Sequence, residues 1–219
     1  MIKLYGMPLS PFARKVLLVL DYKELEYENV PTFPGDEAPE FRAISPLGKV
    51  PVLEHDGFNL PDTSAISRYL DRIAPENSIY PDDPQLEATA CWLEEFADTK
   101  LMENCAGLFR ERVVNPKFFN EPTNEELVQN IVDEGLPQCL AYLESVTPDS
   151  GYLVGDTLSI ADFAVTTCFL QARYGHFDVE GAVAPKLRNY LDRAFASPLV
   201  MQRLEVEKAA VAKIAPGLL

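Results

Sequence analysis

The sequence predicts a small α/β unit followed by an all-helical one. Three observations carry this reading. Residues 1–76 alternate strand-like and helix-like stretches. The Pro-rich stretch PENSIYPDDP then breaks every periodicity, and a linker is drawn at 77–86. From 87 to 219 each stretch repeats its apolar residues at helical spacing.

The first unit reads element by element. IKLYG (2–6) is short, apolar and ended by a glycine, as a strand would be. PFARKVLLVLDYK follows with Phe12, Val16, Val19 and Leu20 at helical spacing. YENVP (27–31) is a second strand, parallel to the first through a right-handed crossover. APEFRAISPLG, bounded by prolines, is a short helix or an irregular loop. VPVLEHDGFNLPD is a hairpin, with Val50–Leu53, a turn at His55-Asp56-Gly57, and Phe58–Leu60. DTSAISRYLDRIA closes the unit as a helix with Ala65, Ile66, Tyr69, Leu70 and Ile73 on one face. The order is β-α-β-α-β-β-α.

Five helical segments follow. The first is the long DPQLEATACWLEEFADTKLMENCAGLFRERVV. The second, NEELVQNIVDEGLPQCLAYLESV, is expected to be interrupted at Gly135 and Pro137. SIADFAVTTCFLQARY, APKLRNYLDRAF and SPLVMQRLEVEKAAVAK complete the set.

Composition excludes several functions. The net charge is −15, and the acidic excess lies beyond Tyr80, with 11 Lys+Arg against 22 Asp+Glu. That balance disfavours nucleic acid and anionic membrane as partners and reads as a solvated surface. No apolar run is long enough to span a bilayer and no basic leader precedes one, so a cytoplasmic protein is expected. Cys91, Cys105, Cys139 and Cys168 form no CxxC pair, and His55 and His176 are the only histidines, so no metal site is expected. The cysteines read as small buried hydrophobes.

Three short motifs point to chemistry. Ser10-Pro11 starts the first helix, which plain capping explains. Val50-Pro51 puts a proline at a strand entrance, where a cis bond would leave the Val50 backbone open to an extended peptide. A trans proline on an edge strand fits as well. Asp62-Thr63 starts another helix, where free N–H groups suit a carboxylate and Asp62 suits an ammonium group. Carboxylate and ammonium recognition side by side at that helix start would suit an amino-acid-like ligand, although N-capping alone accounts for each helix start.

The run SPFARKV, then GKVPVL, then DTSAISRYL resembles the thioredoxin-like domain of soluble glutathione transferases. GDTLSIADFAV resembles that family's capping-box segment, with Ser159 and Asp162 in the S-x-x-D pattern, and APKLRNYLDRAFASPLVMQRL its closing helices. The similarity is to the branch with Ser before Pro, in the tau, phi and theta style of plants and bacteria.

The resemblance implies that Ser10 hydrogen-bonds the glutathione sulfur and stabilises its thiolate, the form that attacks. It implies that Phe12 is a glutathione-binding residue, that Val50 beside cis-Pro51 pairs with the cysteinyl backbone, and that Lys49 meets the glycine carboxylate. Asp62 and Thr63 would hold the γ-glutamyl end. A hydrophobic electrophile would be walled by Met7, Pro8 and Leu9 and by Met102, Cys105, Leu108, Phe109 and Arg112. A homodimer is implied as well.

The chain departs from the family pattern twice. Asp62 replaces the usual Glu, and Asp36 and Glu37 stand where relatives carry basic residues. Tyr5 is a competing hydroxyl, but it sits inside a strand-like run. The absence of Cys from the first unit argues against disulfide exchange. Three readings follow: a glutathione transferase, a glutathione-dependent isomerase or dehalogenase, and a non-catalytic binding or interaction module of the same fold.

Overall fold

The computed structural model describes residues 1–214, and in it the alternation of IKLY becomes strand β1 (Ile2–Tyr5). Ile2 and Leu4 are buried while Lys3 and Tyr5 lie on the partly exposed face. Strand β2 (Tyr27–Val30) pairs with β1 in parallel, as the intervening helix α1 (Pro11–Tyr22) requires. Strand β3 (Val52–His55) runs antiparallel to β1, and β4 (Phe58–Leu60) antiparallel to β3, giving the order β2-β1-β3-β4. The hairpin turn at Asp56-Gly57 has φ of 51° and 86°, the positive pair that a two-residue primed turn needs.

The proline-bounded segment resolves as helix α2 (Pro39–Ile44). Helix α3 (Thr63–Ile73) buries a stripe rotated from the predicted one. Ile66 and Leu70 are fully buried, but Ile73 is 40% exposed and Ala65 and Tyr69 are only half-buried. Polar neighbours take their place, because Ser67 Oγ donates to Thr63 O at 2.8 Å and Asp71 pairs with Lys23 at 2.8 Å. Lys23 also donates to the Ala74 carbonyl at 2.8 Å, just past the end of α3.

Helix α1 is buried from Ala13 through Leu20 and not on one face only. Its outer side is covered by α10 (Pro198–Ile214), which packs against it. The contacts therefore group Met1–Ser78 with α10, and leave Ile79–Ser197 as a second unit. Periodicity had put α10 with the helices before it, within 87–219, since a stripe does not name its partner.

The second unit is helical throughout its regular structure. Helices α4 (Pro84–Phe96) and α5 (Met102–Phe109) run on through a π-type turn at Ala97–Leu101, and a further π-type stretch, Arg110–Phe119, ends at left-handed Asn120. Helices α6 (Glu125–Asn130) and α7 (Leu136–Val146) join in the same way through Ile131–Gly135. Gly135 and Pro137 thus do not interrupt the rod. Pro137 falls just past the π-type stretch, whose wider turn is one of the ways a helix accommodates an interruption of its hydrogen-bond ladder.

Helix α8 (Ile160–Tyr174) is the centre of this unit, buried from Ile160 through Ala172, with α4, α5 and α9 (Pro185–Phe195) against it. Its start is the predicted capping box. Asp162 accepts from the Ser159 N–H at 2.8 Å, and also from Leu153 N–H and Tyr190 O–H. Cys105, Cys139 and Cys168 are buried as expected; Cys91 is only half-buried.

Candidate active site

Strand register gathers the three motifs. Tyr5, the last residue of β1, faces Val52, the first of β3, and Leu53 faces Leu60, the last of β4. The segments after β1, before β3 and after β4 therefore leave the sheet at the same end. These are the segments that carry Ser10, Val50-Pro51 and Asp62-Thr63.

Gly6 lets the first two of them approach, a role the sequence reading missed. A Cβ there would lie 2.9 Å from the Ala13 Cβ and 3.8 Å from the Pro51 Cβ. The end of β1 thus passes directly between the first turn of α1 and Pro51. A glycine closing an apolar run was the available signal.

Ser10 is the N-cap of α1, in extended conformation, with its Oγ accepting from Ala13 N–H at 3.3 Å. Pro11 opens the helix and lacks only an N–H that would be an orphan anyway. Capping uses a lone pair of the hydroxyl and leaves its proton available for donation. Phe12, next in the helix, is half-buried.

The Val50-Pro51 bond is cis. The β1–β3 ladder begins at Val52, and among the described residues the Val50 main chain enters no backbone hydrogen bond. Asp62 caps α3, its carboxylate accepting from Ala65 N–H at 2.9 Å, and Thr63 is buried beside it.

Tyr5, the competing hydroxyl, is committed elsewhere. Its O–H donates to Glu54 at 2.7 Å across the sheet, and that bond above all raises its pKa to about 12. Glu54 is correspondingly lowered by the same contact.

Lys49 is exposed, while its carbonyl accepts from Ser45 Oγ at 2.7 Å. The two acidic departures have partners. Asp36 accepts from Ala38 N–H at 2.9 Å, ahead of α2, and Glu37 pairs with Arg42. Arg42, unremarked in the sequence, lies against Gly48, where a Cβ would come within 2.4 Å of its Nη1.

Met7 is buried and Leu9 half-buried in the turn before Ser10, whose N–H donates to Met7 O at 3.0 Å. In the helical unit Met102 and Cys105 are buried on α5, which packs on α8. Burial pushes the Cys105 thiol far up. Phe109 meets the Tyr174 ring, and Arg112 donates to the Gly175 and His176 carbonyls at 2.9 and 3.1 Å. These contacts serve the packing of the unit and the C-terminus of α8. Among the described residues no cluster of His, Cys, Asp and Glu is placed to hold a metal ion, and no helix is long and apolar enough to cross a membrane.

A four-stranded mixed sheet with a cis proline entering β3 and helices on its connections defines a thioredoxin-like domain, here joined to an all-helical one. The chain belongs to the glutathione S-transferase family. The family profiles "Glutathione S-transferase, N-terminal domain" and "Glutathione S-transferase, C-terminal domain" match residues 4–78 and 109–205. Glutathione S-transferase 4 of Zea mays is 33% identical over 182 residues, 79% of each chain. Among solved structures, a glutathione S-transferase from Rhodospirillum rubrum F11 superimposes with a TM-score of 0.82 at 28% identity, covering 93% of this chain and 92% of that one. Human glutathione-S-transferase T1-1, in its apo form, does so at 0.84 and 25%, covering 99% and 92%.

Proposed function

We propose that this protein binds glutathione at the end of the sheet described above, ionises its thiol and transfers it to a hydrophobic electrophile. The observation that carries the reading is Ser10, an N-cap hydroxyl at the sheet end shared with Val50-Pro51 and the start of α3. Glutathione laid along Val50 pairs its cysteinyl backbone with the open N–H and C=O there, as an added strand would. Its γ-glutamyl end meets Asp62 and Thr63, carboxylate toward the N-terminus of α3 and ammonium toward Asp62. Its glycine carboxylate points to Lys49.

The chemistry then follows from charge. Glutathione loses its thiol proton to solvent. The thiolate accepts a hydrogen bond from Ser10 O–H and lies at the positive end of α1. The sulfur forms a bond to the electrophilic carbon while the leaving group departs with its electron pair. Ser10 stabilises the anion and makes no covalent bond; among the described residues no side-chain base hydrogen-bonds its hydroxyl to make it a nucleophile. The protein works in the cytoplasm as a homodimer, a reading supported by its family membership.

The test is Ser10→Ala assayed with an aromatic halide, alongside absorbance titration of the bound thiolate. A hydrogen bond to a charged group is worth about 1.5–3 kcal/mol, so turnover at neutral pH falls roughly ten- to hundredfold. The pKa of bound glutathione rises in parallel. Unchanged conjugation in Ser10→Ala would refute the assignment. Failure of the wild-type protein to bind immobilised glutathione would favour a non-catalytic module.

A further inference from the structure

The Arg42 side chain and Lys49 both adjoin Gly48, in the segment that leads into β3 at the sheet end that carries Ser10. Gly35 N–H donates to Gly48 O at 2.8 Å, tying the loop after β2 to the loop before β3. Gly48 itself is left-handed, with φ of 64°, and its N–H donates to Ser45 O at 2.8 Å. The Arg42 guanidinium lies against its α-carbon, in space that any Cβ would fill. The next residue is Lys49, with its side chain exposed. Glu37 holds the guanidinium, yet its own side chain is 81% exposed and fixed by little else.

We propose that Arg42 is a second carboxylate-binding residue of this site and that Glu37 is its built-in competitor. The inference rests on the glutathione reading. A peptide that starts at α3 and pairs along Val50 carries its far carboxylate toward Gly48 and Lys49. An Arg fork suits a carboxylate better than a lone ammonium does, because it offers two parallel N–H donors. To use it, the ligand carboxylate displaces that of Glu37. Glu37 thereby lowers affinity at the glycine end and leaves the thiol chemistry at Ser10 untouched.

The experiment measures glutathione binding by titration calorimetry and KM and kcat by conjugation, for wild type, Glu37→Gln, Arg42→Met, their double variant and Glu40→Gln. Glu40 is an exposed acid on α2 that removes the same charge without touching Arg42 in the contacts observed. Wild-type binding of glutathione tests the transferase reading independently of any variant. Exposed ion pairs are modest, so Glu37→Gln should tighten glutathione about two- to fivefold in Kd and KM with kcat unchanged. Glu40→Gln should give less than half of that gain. In the Arg42→Met background the gain from Glu37→Gln should vanish, and it should vanish for glutathione esterified at its glycine carboxylate. If wild type binds glutathione and Glu37→Gln binds it no better than Glu40→Gln, the competition is refuted. Persistence of the gain without Arg42, or with the ester, refutes it equally.

Discussion

Arg14 and Glu207 meet between α1 and α10 through two parallel hydrogen bonds, Nε to Oε2 at 2.7 Å and Nη2 to Oε1 at 2.6 Å, with both side chains buried. The pair lies one turn into α1, where Arg14 N–H donates to Ser10 O at 2.9 Å. Two charges taken out of water are tolerated because each has a partner of opposite sign. Removing one partner is therefore far costlier than removing both. Glu207→Ala should destabilise the protein by about 3–5 kcal/mol in urea unfolding. Arg14→Met with Glu207→Met should come close to wild type. A double variant as unstable as the single one would show that the pair holds α10 in place by more than charge compensation.

Ser10 carries a cap and a proposed hydrogen bond to sulfur, and two substitutions separate these duties. Loss of an N-cap to Ala costs about 1 kcal/mol, whereas Gly in that position costs only a few tenths. Ser10→Ala should thus unfold at lower denaturant than Ser10→Gly. Both should lose conjugation to a similar extent. Restored activity in Ser10→Gly would trace the defect to the helix and not to the hydroxyl.

Tyr5 makes an alkaline prediction. Its folded pKa of about 12 stands above the ordinary 10.0, so the folded state holds this proton more tightly than the unfolded chain does. The stability it contributes is fully present below pH 10 and is lost as pH rises through 12. Glu54→Gln removes the anion responsible and should bring the phenol back toward 10.0, read by phenolate absorbance. Tyr27 is also raised to about 12, mainly through burial, so a Tyr27→Phe background removes one overlapping signal. Tyr5→Phe should leave conjugation unaltered, since that hydroxyl already serves Glu54.

Gly135 tests the helical unit. A Cβ there would lie 2.0 Å from Asn104 Oδ1, and Asn104 is held by its own bond to Lys100 O at 2.8 Å. Gly135→Ala should destabilise by about 1–3 kcal/mol despite the better helix propensity of alanine. Combining it with Asn104→Ala should recover most of the loss in thermal unfolding.

What could be read from the chain varied with the range of the interaction. Helix starts were legible because caps are local: Ser10, Asp62 and the Ser159/Asp162 box stand where the sequence put them. The Asp56-Gly57 turn was legible for the same reason. The buried face of α3 was not, because Ser67 and Asp71 reach the interior only with Thr63 O and Lys23 as partners. Nor was the continuity of the α6–α7 rod, since Gly135 and Pro137 so close together read as a break until Asn104 shows what the glycine makes room for.

By itself, then, the sequence determined the element order, the helix starts and the three motifs on which the proposed glutathione site rests. These follow from spacing, turn chemistry and backbone geometry within a few residues. Only the tertiary structure decided that α10 joins the first unit through Glu207, that Tyr5 belongs to Glu54, that Gly6 brings Pro51 against the start of α1, and that Glu37 holds Arg42. Each of those depends on a partner far along the chain or on a gap too narrow for a side chain, and no local pattern encodes either.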